Sequence, residues 1–248
     1  MAARPLIVGN WKMNGCRKKL AELNAIESHA ATASAEVWMA LPATLVGLAA
    51  IGARNITIGG QDVHFADAGA YTGSISAAML REAGACFTLV GHSERRVGHG
   101  ETGAVIRAKV DAAWRHGLDV VLCVGETAEQ RNAGTGKETV AAQIRAAAGG
   151  PIAGGLAIAY EPVWCIGAPT AATPEQVAAM HQVIRGTLGA LHGEAGVAVR
   201  LLYGGAVDPQ SAPAILLAAE VDGVLAGRAS LEVPAFCALI NVASEIAA

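Results

Sequence analysis

Three reactive side chains and two glycine turns in this sequence stand where they could act together on a small anionic substrate. Glu161 closes an apolar run and is followed by Pro162, which disfavours helical backbone at the preceding residue and leaves the carboxylate at the end of an extended segment. A carboxylate held there can serve as a general base, although a solvated glutamate in a turn is the commoner case. Lys12 follows Asn10 and Trp11 at the end of another apolar run, where a surface lysine is the ordinary reading and an electrostatic role the functional one. His92 lies between Gly91 and Ser93-Glu94, at a predicted helix start whose positive dipole end is expected to lower its pKa and keep the ring neutral. The turns Tyr203-Gly204-Gly205-Ala206 and Ala226-Gly227-Arg228-Ala229-Ser230 allow backbone N–H groups to approach an anion.

Such residues act together only if one architecture brings them to one face. Short runs rich in Val, Ile and Leu predict strands over 6–11, 37–41, 56–61, 87–90, 119–124, 156–161, 199–203 and 223–226. Helical patterns separate them. Thr173-Pro174-Glu175-Gln176 and Thr127-x-x-Gln130 carry capping-box signatures, Asp208-Pro209 predicts a further helix start, and Gly117 and Gly193 predict helix stops. Near-continuous apolar strands alternating with amphipathic helices predict a parallel sheet covered by helices. In that class the carboxyl ends of the strands share one face, where Asn10, Lys12, His92, Glu161 and the two glycine turns would converge.

The totals are consistent with this. A chain of 248 residues with 53% hydrophobic content and 16% charged content can bury a sheet on both faces, and a barrel of about 250 residues is a standard size. A single domain over residues 1–248 is expected, since no composition break marks a linker. With a net charge of −3 and no long basic run, neither a nucleic-acid surface nor a membrane partner is expected. The charge-free stretch from Val37 to Ala53 is too short to span a membrane and is read as strand, turn and short helix. Five cysteines without a C-x-x-C spacing point to a reducing cytosol rather than a disulfide framework. The start carries no signal-peptide pattern, and the seven histidines show no metal-ligand pairing, so no metal site is expected. Cys123 and Cys165 read as buried small hydrophobes; Glu126 and Arg95-Arg96 read as structural ion-pair partners.

Residues 61–76 form a long connection with Phe65 and Tyr71 upon it. Loops of that length are usually functional or docked, and a subunit-interface arm is the reading preferred over a loop folded on its own barrel.

Gly9-Asn10-Trp11-Lys12-Met13-Asn14, Gly91-His92-Ser93-Glu94-Arg95-Arg96, Cys123-Val124-Gly125-Glu126, Ala159-Tyr160-Glu161-Pro162-Val163-Trp164 and Tyr203-Gly204-Gly205 together resemble the triosephosphate isomerase family, in its order and over essentially the whole chain. The resemblance implies an α/β fold, a single (β/α)8 TIM barrel. It implies interconversion of D-glyceraldehyde 3-phosphate and dihydroxyacetone phosphate through an enediolate, a step of glycolysis and gluconeogenesis, with no cofactor. Glu161 would be the base, neutral His92 would polarise the carbonyl and shuttle protons, and Lys12 and Asn10 would bind substrate and stabilise the oxyanion. In that family the carboxylate base and the neutral imidazole are set apart by pKa tuning from their surroundings. Backbone N–H groups of Gly167, Ala206, Gly227 and Arg228 would grip the phosphate. A homodimer through the 61–76 arm is also implied.

The chain departs from the family at Pro169, Ala206 and Arg228. Where the family joins a serine hydroxyl to a lid N–H, this sequence has Ala206 and Pro169, so both halves of one latch are missing. The family's other latch, from Tyr203 to backbone near Ala172, remains available. Arg228 replaces a glycine beside the phosphate turn and motivates an alternative, aldose–ketose isomerisation of a tetrose phosphate on the same residues. A non-catalytic phosphate-binding barrel is the alternative from another class.

Overall fold

The predicted apolar runs become the staves of a closed barrel in the computed structural model, which describes residues 4–166 and 171–247. Strands β1 (Leu6–Asn10), β2 (Glu36–Leu41), β3 (Ile56–Gly60), β4 (Phe87–Val90), β5 (Asp119–Val124), β6 (Leu156–Tyr160), β7 (Arg200–Tyr203) and β8 (Gly223–Ala226) pair in sequence order. Every pairing is parallel, and β8 closes on β1 with Leu6 opposite Gly223. Around them lie α1 (Leu23–Ala30), α2 (Ala43–Gly52), α3 (Ala77–Glu82), α4 (Ser93–Gly98), α5 (Gly103–Arg115), α6 (Ala128–Asn132), α7 (Gly136–Ala148), α8 (Pro174–His192), α9 (Glu194–Val197), α10 (Ala212–Leu216) and α11 (Val233–Ile246). This is the (β/α)8 barrel.

Strand alternation divides the core in two. Leu6, Val8, Trp38, Ala40, Phe87, Leu89, Val121, Cys123, Ala157, Ala159, Leu202 and Leu225 fill the barrel interior, while intervening residues such as Ile7, Met39, Val90, Leu122 and Ile158 pack against the helices. Carrying each inward series one step past the last filled layer reaches Asn10, Gln61, Gly91, Gly125, Glu161, Gly204 and Gly227. The barrel mouth therefore has a polar layer with four glycines in it. Those glycines leave open the space that inward side chains fill below.

Local signals held where the chemistry is local. Thr127 and Thr173 each form a complete capping box with Gln130 and Gln176. Gly117 and Gly193 take positive φ just beyond α5 and α8, the conformation that glycine tolerates at helix ends. The Asp208-Pro209 expectation is corrected: Asp208 Oδ1 instead accepts from the N–H groups of Gln210 and Ser211 in a turn, and α10 begins at Ala212. Trp11, Gln61 and Glu161 lie one residue beyond the strands predicted to contain them, although the N–H groups of Trp11 and Glu161 still bond to Ala40 and Val124.

Candidate active site

The site is built at the carboxyl ends of the strands. Glu161 continues the inward series of β6, and its N–H bonds to Val124 O at 2.7 Å. Pro162 breaks from extended structure, and a short 3₁₀ turn, Val163–Cys165, follows. The carboxylate is only 2% exposed. Its Oε2 accepts from the Ser93 N–H at 2.8 Å, and its Oε1 lies 2.9 Å from His92 Nε2. At the neighbouring strand end, a Cβ on Gly125 would sit 1.8 Å from the Glu161 carbonyl oxygen, so only glycine allows this approach.

His92 is the N-cap of α4, as its sequence context predicts, and is 6% exposed. Its Nδ1 accepts from the Glu94 N–H at 3.3 Å. An Nδ1 lone pair used in this way places the proton of a neutral ring on Nε2, facing Glu161. The expected lowering of the His92 pKa is corrected. Burial does oppose the charged ring, but the charge of Glu161 and its hydrogen bond outweigh burial, and the pKa is raised above 6.5. The ring is thus proton-tight while Glu161 rests against it.

Lys12 occupies the left-handed region at φ 51, unusual for a residue with a side chain. Two side chains hold it there: Asn10 Oδ1 accepts its N–H at 2.9 Å, and Gln61 Nε2 donates to its carbonyl at 2.8 Å. Gln61 Nε2 also lies 3.2 Å from Asn10 Oδ1, linking the ends of β1 and β3. The Lys12 ammonium meets Glu94 Oε1 at 2.6 Å. Burial would raise the Glu94 pKa, but the hydrogen bond from Lys12 prevails and lowers it.

Gly227 is the N-cap of the 3₁₀ turn Arg228–Leu231, and Ser230 Oγ closes that turn onto the Gly227 carbonyl at 2.7 Å. The Arg228 side chain is exposed, and so is Ala206. Gly167 and Pro169 lie outside the described residues. The structure thus brings together Asn10, Lys12, His92 and Glu161, and places the turns bearing Ala206, Gly227 and Arg228 at the same barrel mouth.

Sequence reasoning left the partners of several neighbours open. Glu126 is fully buried; its Oε1 accepts from Tyr160 Oη at 3.0 Å and Trp164 Nε1 at 2.8 Å and pairs with Arg131 at 3.3 Å. The Arg131 guanidinium also stacks 4.2 Å from the Trp164 ring centre, so Glu126 and Arg131 fix the residues on both sides of Glu161 and Pro162. Arg95 pairs with Asp62 and Glu101, as an ion-pair reading requires. Arg96 does not: it bonds to backbone carbonyls. Burial pushes the Cys123 thiol well up, and Glu161 adds to the shift, which excludes a thiolate nucleophile there. The Tyr203 hydroxyl is buried close to the Cys165 thiol and the Ala172 backbone, and burial raises its pKa. Gln61 and the Ser93 N–H carried no signal as site groups, because each acts through a position that only barrel closure brings near.

Comparisons with known proteins agree with this geometry. The family model described as triosephosphate isomerase matches residues 5–243. The triosephosphate isomerase of Xanthobacter flavus is 47% identical over 239 residues, covering 95% of this chain and 96% of its own length. That of Hyphomonas neptunium is 45% identical over 247 residues, covering 98% and 99%. The crystal structure of triosephosphate isomerase from Bartonella henselae matches with a TM-score of 0.90 at 43% identity, over 97% of this chain and 99% of that one. With a family model spanning nearly the whole sequence and close relatives covered almost end to end, the chain belongs to the triosephosphate isomerase family.

Proposed function

We propose that Glu161, His92, Lys12 and Asn10 carry out the isomerisation of D-glyceraldehyde 3-phosphate and dihydroxyacetone phosphate, and that the turns at Ala206, Gly227 and Arg228, with Gly167, hold the phosphate. The observation that carries this reading is the 2.9 Å approach of Glu161 Oε1 to His92 Nε2 inside a buried, glycine-lined mouth. Glu161 takes a proton from the carbon beside the carbonyl and returns it to the neighbouring carbon. His92 donates from Nε2 to the carbonyl oxygen and regains a proton from the adjacent hydroxyl, and Lys12 supplies positive charge to the enediolate formed between the two steps. For both to reach substrate, the contact between Glu161 and His92 must open. Proton transfer of this kind contributes about 10²- to 10⁴-fold, and charge preorganised at the oxyanion commonly contributes more.

Arg228, which motivates the four-carbon alternative, is exposed beside the Gly227 turn, and comparing kcat/KM on three- and four-carbon sugar phosphates separates the two substrates. A coupled assay on both triose phosphates tests the reading. Turnover no faster than in a Glu161→Ala variant would contradict it.

The proposal takes residues 1–248 as one domain that works as a homodimer through the 61–76 arm. Supporting this, Met13 is 97% exposed beside Lys12, and Phe65, Tyr71 and Ile75 expose apolar surface on the arm. Asp67 ties the arm to the end of α5 through Arg115 and His116, each at 2.9 Å. A reducing cytosol is in keeping with five free cysteines, and no helix among the described residues is long and apolar enough to cross a membrane.

A further inference from the structure

The β4–β5 ladder runs from Phe87 opposite Asp119 to Val90 opposite Leu122 and then stops. At the next position the chain leaves the sheet, because Gly91 turns to φ 70 and hands His92 to the start of α4. Gly91 and Cys123, next in register, therefore present carbonyl oxygens at the barrel mouth where the ladder no longer joins the two strands. The Arg96 guanidinium spans this gap. Its Nε donates to Gly91 O at 2.7 Å and its Nη2 to Cys123 O at 2.8 Å, while its backbone N–H donates to His92 O at 3.1 Å.

We propose that Arg96 is a positioning residue for the isomerisation: its planar fork replaces the missing rung between β4 and β5 and so sets the separation of His92 from Glu161. This inference rests on the isomerase reading above. His92 follows directly on Gly91, and the Glu161 backbone hangs from the end of β5 through its bond to Val124 O, so one side chain ties the supports of both groups. A lysine cannot replace it, because a single ammonium lacks the rigid pair of donors that fits two carbonyls at fixed spacing. The fit is tight: a Cβ on Gly91 would approach Arg96 Nη2 to 3.0 Å. Burial lowers the Arg96 pKa, and the Glu161 charge is among those that oppose the shift.

The test compares the wild type with Arg96→Lys and Arg96→Ala, by steady-state kinetics on both triose phosphates, thermal unfolding, and ¹⁵N NMR of the His92 imidazole. The expected result is that folded Arg96→Lys keeps KM within about 3-fold while kcat falls roughly 10- to 100-fold, the scale set by a displacement of about an ångström. The His92 Nε2 resonance moves in both variants, and millimolar methylguanidinium returns part of the lost kcat to Arg96→Ala. Native kcat and a native His92 resonance in folded Arg96→Lys would overturn the proposal. So would a kcat loss that only tracks the fraction of unfolded protein. If Arg96→Lys does not fold, folded Arg96→Ala decides the matter: rescue by methylguanidinium supports the bridge, and its failure overturns it. An inactive wild type would refute the isomerase reading, whereas the His92 resonances would still report on positioning.

Discussion

Glu161 is held by His92 and by the residue after it: Nε2 of His92 lies 2.9 Å from one carboxylate oxygen, and the Ser93 N–H bonds to the other at 2.8 Å. The base and the imidazole therefore stabilise each other in the free chain. Catalysis must exchange that contact for contacts to substrate.

The first prediction concerns the titration of His92. Burial disfavours the charged ring, but Glu161 reverses the effect and raises the pKa above 6.5. A raised histidine pKa contributes stability that is fully present below about 6.5 and is lost as pH rises through the folded value. NMR titration should find His92 above the ordinary histidine range in the wild type and lower in Glu161→Gln. Thermal unfolding should show the two proteins differing most at mildly acidic pH and converging as pH rises. An unchanged His92 titration in Glu161→Gln would show that another group causes the shift.

Lys12 provides the second. Held at φ 51 by Asn10 and Gln61, it presents its ammonium to Glu94 at 2.6 Å. Lys12→Met should lower kcat/KM by about 10²- to 10³-fold, the scale for removing one charged or hydrogen-bonding stabiliser of an oxyanion. Gln61→Ala, which releases the Lys12 carbonyl, should cost less but in the same direction. Steady-state kinetics on both triose phosphates would check the order; a larger loss in Gln61→Ala would break it.

The third concerns assembly. In the proposed homodimer the exposed apolar surface of Met13 and Tyr71, at 97% and 44%, would be covered by the partner. Met13→Asp and Tyr71→Asp should each shift sedimentation from dimer towards monomer, with a parallel fall in specific activity. Full activity in a wild-type monomer at high dilution would remove the arm from the functional account.

The fourth rests on two side chains read from sequence. Pro169 has no N–H to donate, so restoring a hydroxyl by Ala206→Ser should leave kcat/KM within about 3-fold of wild type, the free energy at stake in an unmade bond being small when neither partner is buried alone. A large gain would mean that the new hydroxyl finds some other donor.

Much of this barrel is legible in the sequence. Strands β4, β5 and β8 have the predicted bounds, and the others differ by a residue at an end. Continuous apolar runs bounded by glycine, proline or charge can be read locally. The positions of Lys12, His92 and Glu161 at the barrel mouth are legible for the same reason, since each closely follows a recognisable strand, whereas their roles are implied by the family resemblance. What escaped was relational. Glu126 is an ion-pair partner as expected, of Arg131 at 3.3 Å, but its bonds from Tyr160 and Trp164, on either side of Glu161 and Pro162, are not legible. Arg96 looked like half of a salt bridge, but the acceptors nearest it are carbonyls exposed where a ladder ends. The direction of the His92 pKa is not legible, because the helix start is visible in sequence and the carboxylate 2.9 Å away is not. Asp208-Pro209 reads as a helix start in sequence because an Asx-type turn and a helix N-terminus share their opening residues.

The most direct test of the account is the turnover of D-glyceraldehyde 3-phosphate by Glu161→Gln beside the wild type. The amide retains the shape and an acceptor for the Ser93 N–H but cannot take a proton at neutral pH. The account predicts a folded protein with KM little changed and kcat lower by about 10²- to 10⁴-fold, the contribution of a positioned base. A Glu161→Gln variant that turns over at the wild-type rate would contradict it.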